Sequence, residues 1–349
     1  MKVVHFVHSL YGFSGATKQA VNLADNIRLI DSCVEQRFLT LDNEEPTSRS
    51  ADFGFEVSIA PLKKVNRFIS YVLLLTEYRP EIVHFHGADF MLLLLCKLFS
   101  VKTYWKTTLN GSDDFETLVS GRFGLIKRHL IKLIDVNNAL TLQIYNKNKQ
   151  YIPNDSIVVI PNGVVEYQAI NNKQKRAIII SAIIPRKRVI AGIQFFNQHL
   201  LHHGYTLSII GPDDKDLDGF DLNYKNEFYS MLNNNVQYLG RLEQKDVIKH
   251  LNHSRFLLHF SESEGMPNVV LESMVMGCFP ITSDMNGLYN ELYDDGKTGY
   301  LDINFNCCKE LETANAFNTL GRELLVKNNA FPVVARKTYD IYRNLINGT

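Results

Sequence analysis

The stretch RFLLHFSESEGMPNVVLESMVMG, residues 255–277, changes character twice. RFLLHF is a short apolar run of strand length, SESEGMP is a polar turn with Gly265 and Pro267, and NVVLESMVMG has the spacing of a helix. Leu271, Met274 and Val275 mark its buried face, Asn268 is the expected N-cap, and the helix should end near Gly277. Strand, loop and helix in this order form one unit of an α/β fold. Glu264 falls in the loop and Glu272 about one turn into the helix, so they approach a shared ligand from different sides. The helix N-terminus between them suits a phosphate. Two acids beside a Gly-Pro turn also fit a glycosidase pair, a metal site or a helix cap, and sequence does not measure the gap that would decide.

The same alternation runs through the chain. Strands are expected at 2–8, 35–41, 81–86, 103–108, 139–143 and 156–160, and again at 176–182, 206–211, 236–240, 255–260 and 279–283, with helical patterns between most of them. Continuous apolar strands separated by helices imply parallel sheets covered on both faces. The polar stretch 164–176 reads as a linker between the two series. The expectation is α/β: two Rossmann-like, doubly wound domains facing a central cleft, over residues 1–165 and 175–330. A last helix over 331–349 is expected to cross back onto the first domain. Ligands in such folds bind beyond the carboxyl ends of the strands.

Composition is that of a globular protein, 45% hydrophobic and 21% charged over 349 residues, with a formal net charge of zero. That balance argues against nucleic acid as a partner. Five cysteines without CxxC spacing suggest neither a disulfide framework nor a zinc site, so a cytoplasmic location is expected. The opening MKVVHFVHSL lacks the pattern of a signal peptide, and the apolar run FMLLLLCKLF is too short to span a bilayer.

Several loops carry candidate chemistry. Gly12 and Gly15 sit where the first strand turns into a helix whose face is Ala16, Ala20, Leu23 and Ile27; bare N–H groups there suit a phosphate, although GxGxxG is absent. IPNGV at 160–164 ends the first series, and its Pro161 and Gly163 are explained by turn chemistry alone. Arg186, Lys187 and Arg188 follow the first strand of the second series. There they suit either a diphosphate or a solvated loop.

With these pieces in place, residues 262–301 resemble the donor-binding signature of the retaining glycosyltransferases of family 4, which have the GT-B fold. Glu264, Gly265, Pro267, Glu272, Met274, Gly277, Pro280 and Asp284 fall on that pattern in register, as do Gly287, Glu291, Asp295, Gly296, Thr298 and Gly299. VVIPNGV, IPRKR, SGATKQAVNLA and EIVHFH are similar to further family segments in the family's order. The resemblance implies a hexosyltransferase with a nucleotide-sugar donor, most simply a UDP-sugar. The saccharide acceptor would be lipid-linked, in surface polysaccharide or lipopolysaccharide synthesis. Glu264 would contact the transferred sugar and Glu272 the ribose hydroxyls. Backbone groups of Gly265, Met266, Pro267, Asn268 and Val269 would hold sugar or phosphate oxygens, with Arg241 also on the donor. Arg186 and Lys187 would neutralise the leaving diphosphate, as Gly15 would from the first domain. No cofactor or metal is implied, because cations and helix dipoles supply the charge.

Two positions depart from that pattern. Ala182 stands where the family has arginine, and Asn110, in TTLNGSDD, replaces an acceptor-side histidine. Asparagine orients a hydroxyl without carrying a proton; His86 and Asp113 are the other acceptor-side candidates. A silent nucleotide-sugar-binding module therefore stands as an alternative, beside a nucleotide-sugar epimerase on the same fold. Asp214, Asp216 and Asp218 imitate a calcium loop, but Lys225 occupies the position that needs a glutamate. His84 and His86 are expected to point to opposite faces of their strand and so not to chelate together. Between Glu116 and Asp135 lie Arg122, Lys127, Arg128 and Lys132 with no acid, and Phe123, Ile126, Leu130, Leu133 and Ile134 form a helical stripe. This is either a core-packed helix or one lying on the anionic inner leaflet, which would make the protein peripheral to the membrane.

Overall fold

The computed structural model describes residues 1–10, 15–41, 54–121, 123–305 and 317–348, and the chain divides into two compact units, Met1–Gly163 with Asn329–Thr349, and Val164–Asn328. The first unit holds strands β1 (Lys2–Val7), β2 (Glu35–Thr40), β3 (Glu56–Ile59), β4 (Ile82–Phe85), β5 (Lys102–Thr107), β6 (Val136–Ala139) and β7 (Ile157–Val159). They form one parallel sheet in the order β3-β2-β1-β4-β5-β6-β7. Its helices are α1 (Gly15–Ile30), α2 (Lys64–Glu77), α3 (Phe90–Leu98), α4 (Phe115–Ser120), α5 (Gly124–Ile131) and α6 (Leu142–Asn148), joined at the chain's end by α13 (Phe331–Asn347). Helix α13 packs beside α1, where Val334, Tyr339 and Tyr342 share a core with Val3, Leu23 and Ile27. On the opposite layer α3 lies between α2 and α5.

The second unit repeats the plan with β8 (Gln174–Ile180), β9 (Thr206–Ile210), β10 (Val236–Tyr238), β11 (Ser254–His259), β12 (Phe279–Thr282) and β13 (Tyr300–Leu301), parallel in the order β10-β9-β8-β11-β12-β13. Between them run α7 (Val189–His199), α8 (Leu222–Ser230), α9 (Gln244–His253), α10 (Asn268–Val275) and α11 (Tyr289–Leu292), followed by α12 (Thr319–Asn329). The strand order reverses at β8 and β11, the switch point beyond which α/β folds bind ligands. Phe256 on β11 is wholly buried among Tyr205, Phe279 and Phe305. Burial of such a ring contributes about 2–3 kcal/mol, enough to fix the register of the central strand.

Several expectations are corrected. ALTLQ is not a strand: β6 ends at Ala139, and Thr141 caps α6 by accepting from the N–H of Ile144. The short β3 and β13 carry too few residues for their period to show. Helix α10 begins one residue earlier than expected, with Pro267 at the cap and Asn268 already helical. His84 and His86 do share a face, because side chains two apart on a strand lie on the same side. Their rings stack with centroids 3.8 Å apart, and His5 of β1 joins them. Asp214, Asp216 and Asp218, which imitate a calcium loop in sequence, do not gather into a ligand group among the described residues, whereas His5, His84 and His86 do.

Gly277 shows why one motif glycine is needed. It ends α10 at φ +78°, and a Cβ there would collide with the Phe317 ring.

Candidate functional site

The loop leaving β8 and the loop leaving β11 lie side by side at the switch point of the second unit. They are stitched together by backbone and side-chain bonds. Glu262 N donates to Arg186 O (3.0 Å), and the Arg186 guanidinium donates from Nη1 to Ser263 O (3.1 Å). Arg188 takes the left-handed conformation that lets the chain turn from this loop into α7. Ser261, wholly buried, donates to Ser263 O (3.2 Å) and so holds the β11 loop in shape.

This framework presents Glu264 to Lys187. Lys187 Nζ donates to Glu264 Oε1, and His259 Nε2 lies 3.2 Å from the same oxygen without the angle of a full hydrogen bond. The Glu264 side chain is 10% exposed, Lys187 19% and His259 5%. Burial pushes the Glu264 carboxyl up. The closeness of His259 and the charge of Lys187 outweigh it and hold the group well below the usual carboxylate range. Glu264 is thus an anion fixed at the mouth of the switch point.

Gly265, Met266 and Pro267 are buried behind Glu264, and Asn268 and Val269 begin α10, half exposed. Glu272 lies one turn further. Burial and then the Glu272 carboxylate push the Tyr167 phenol up. Arg241 is exposed beyond the end of β10, two strands from β8. Behind the site, buried Lys173 donates to Asn252 O and Met276 O, neutralising the carbonyl end of α10. Other motif residues serve the fold. Thr298 is buried and accepts from Asp294 N (2.9 Å), and Asp295 holds Leu301 N (2.8 Å) and Asn304 Nδ2 (2.7 Å) to place β13.

The first unit tells a different story for its candidates. Asp113 accepts from Thr108 N, Thr108 Oγ1 and Leu109 N at 2.6–2.9 Å. Its oxygens hold the 108–113 loop and burial pushes its carboxyl up, so the acceptor-side expectation for it gives way to a structural one. His86 is 4% exposed, with Nε2 hydrogen-bonded to His5 Nδ1 (3.1 Å), and it too belongs to the sheet's covered face instead of the loops. Burial, chiefly, keeps His5, His84 and His86 neutral, with His5 lowered to about 4. Lys106, lowered by burial to about 8, adds to the depression of His84 and His86. An added metal cation would meet that ammonium in a buried setting whose three ligands are neutral rings, so the cluster does not suit a metal. Asn110 Nδ2 donates to Gln143 Oε1 (3.3 Å), while its buried Oδ1 has no partner among the described residues. Gly15 opens α1 and is exposed; Gly12 and Arg122 lie outside the described residues. The IPNGV turn is pinned by Gln19, which exchanges two bonds with Gly163 (2.8 and 2.9 Å), and Asn162 accepts from Lys106 Nζ (2.9 Å).

His259 is the residue that sequence reasoning missed. Its only signal was a histidine at the carboxyl end of an apolar strand, a pattern with many structural explanations.

The comparisons agree with this picture. Residues 165–306 match the family model described as glycosyl transferases group 1. No curated protein matches the sequence. Anabaena Alr3699/HepE, solved in complex with UDP and glucose, superposes with TM-score 0.78 at 13% identity, covering 99% of this chain and 100% of that one. TarM from S. aureus, in complex with fondaparinux, alpha-GlcNAc-glycerol and UDP, gives 0.74 at 13% identity over 98% and 99%. The lipopolysaccharide outer core galactosyltransferase WaaB, in its apo form, gives 0.67 at 16% over 100% and 99%. The chain therefore has the two-sheet GT-B fold, and its residues 165–306 match the model of the glycosyl transferases group 1.

Proposed function

We propose that the protein is a glycosyltransferase that moves a hexose from a UDP-sugar to a saccharide acceptor with retention of configuration. The observation that carries this reading is the anionic Glu264, held by Lys187 and His259 at the switch point inside the family-matched segment. The reading is further supported by what the similar folds were solved with: UDP and glucose in Alr3699/HepE, and UDP with saccharides in TarM.

Chemically, the bond from the sugar C1 to the diphosphate oxygen breaks, and the acceptor oxygen bonds to C1 from the same face. The departing phosphate oxygen takes the acceptor's proton. Negative charge grows on the diphosphate and positive charge on the sugar ring. Arg186, Lys187 and the α10 N-terminus oppose the first, and Glu264 the second. Fixed charges of this kind need no divalent metal. Glu272 would hold the ribose, with Arg241 nearby on the donor. Of the first unit's residues, Asn110 orients the acceptor hydroxyl, a role its unpartnered Oδ1 suits. The acceptor is proposed to be lipid-linked, in polysaccharide or lipopolysaccharide assembly, as the likeness to WaaB suggests. The protein would act at the cytoplasmic face.

The test is a metal-free panel of nucleotide-sugars scored for thermal stabilisation and released nucleotide, with and without membrane lipid extract. Turnover that needs an acceptor and is lost in Glu264→Gln supports the proposal. Binding with no turnover under any acceptor condition favours a silent module, and an altered sugar-nucleotide without acceptor favours an epimerase.

A further inference from the structure

Helix α2 is apolar on both sides. Tyr71, Leu74 and Leu75 face the sheet, as expected of a covering helix. Leu62, Val65, Phe68, Ile69 and Leu73 recur at three- and four-residue steps on the outer face and are exposed, Val65 to 72%. A helix apolar all round is normally buried. The neighbouring α3 adds Leu94 and Leu98, and α5 adds Phe123, Leu125 and Ile126, with Leu125 79% exposed. Of the helical stripe expected from sequence, Ile134 is buried and Leu130 and Leu133 are half-buried, but Phe123 and Ile126 are exposed.

Charge on this layer is one-sided. Residues 57–76, 90–112 and 117–134 contain no Asp or Glu, although the chain as a whole has 37 acids and 37 bases. Exposed Lys63 and Lys64 stand at the start of α2, and Lys127, Arg128 and Lys132 on and just after α5. Lys127 and Arg128 approach the Phe90 and Tyr151 rings at 5.8 and 5.7 Å, and no carboxylate pairs with either among the described residues. An exposed apolar patch of this extent marks a contact surface. A second copy would bring its own cations against these, so self-association lacks charge complementarity. An anionic lipid leaflet supplies both what the leucines and phenylalanines lack and what the cations lack.

We propose that the outer face of α2, α3 and α5 is a membrane-docking surface that inserts Val65, Ile69, Phe123 and Leu125 between the headgroups of anionic lipids, with Lys63, Lys64, Lys127 and Arg128 on the phosphates. This deepens the lipid-linked acceptor reading, since it would hold the enzyme where such acceptors lie. It is read without donor or acceptor, so its failure leaves the transfer reaction standing.

The experiment is flotation of the full chain with phosphatidylcholine vesicles, with and without phosphatidylglycerol. Binding to the anionic vesicles that weakens with salt is the expected result. The Val65→Glu/Ile69→Glu variant should lose at least tenfold in partitioning, and Lys63→Gln/Lys64→Gln about thirtyfold, at about one decade for each 1.4 kcal/mol and roughly one such cation per kcal/mol. All four positions are exposed, so thermal unfolding should be unchanged and a folding defect is told apart from a docking defect. No binding to anionic vesicles at low salt overturns the proposal. So does wild-type partitioning in both variants, dimerisation abolished by Val65→Glu/Ile69→Glu, or equal capture of soluble polyglutamate in place of lipid.

Discussion

Replacing Glu264 by glutamine should separate donor binding from transfer in a direction that is easy to misjudge. In the free protein the carboxylate neutralises Lys187, the cation proposed to meet the diphosphate. Glutamine keeps the shape and removes the charge, which leaves the ammonium available to the phosphates. UDP should therefore bind Glu264→Gln at least as tightly as it binds the parent. Transfer should fall about 10²–10³-fold, the loss expected when a fixed electrostatic partner of the transition state is removed. Breaking a buried ion pair costs about 3–5 kcal/mol, but at 10% and 19% exposure water screens part of it, and about 1–2 kcal/mol remains. For a unit of this size that is roughly 2–8 °C in unfolding temperature. The acid profile follows from the sign of the shift. Glu264 is held below its unfolded value, so its stabilisation is complete above about pH 4.5 and is lost as pH falls below that. The variant should lack this part of the acid transition. Calorimetric titration with UDP and chromatography of released nucleotide decide the matter. Unimpaired transfer, or UDP affinity reduced tenfold, would refute the assignment of roles to this pair.

Other consequences are open to measurement. His259→Phe should leave the fold intact and lower transfer by about tenfold, since only one support of Glu264 is lost; rescue by His259→Gln in activity, with no change in unfolding temperature, checks that it positions and does not merely pack. Lys106→Met should raise the unfolding temperature at pH 7, because burial lowers the lysine to about 8 and its charge is a net cost there; the gain should shrink as pH rises from about 8 through 10. His5, His84 and His86 are held neutral while unfolded histidines take protons, so stability should fall below about pH 6.5 by up to about 4 kcal/mol per unit, and His5→Phe should flatten that slope by about one proton in denaturant titrations. Gly277→Ala should cost about 2–4 kcal/mol in urea unfolding, from the left-handed φ and the Phe317 ring together.

What the sequence determined by itself was periodic or contiguous. Apolar strands such as β1, β8 and β11 had to be covered on both faces, and that alone implies two parallel sheets with helices between. The loop from Ser261 to Pro267 and the helix after it were legible because glycine, proline and the 3.6-residue pattern act locally. Three things were decided only in tertiary structure. Lys187 and Glu264 are 77 residues apart, and their contact depends on β8 and β11 being neighbours, which no local pattern specifies. His259 and His86 at strand ends and Asp113 in a loop look alike in sequence as polar residues beyond strands; only the pairing of strands and the closing of the 108–113 loop assign the first to the site and the other two to the scaffold. The outward apolar face of α2 was hidden for a similar reason. Apolar residues on both sides of a helix look like a core element until the layers are stacked and one side is found with nothing over it. Burial belongs to the assembled sheet and helices, whereas periodicity belongs to the chain.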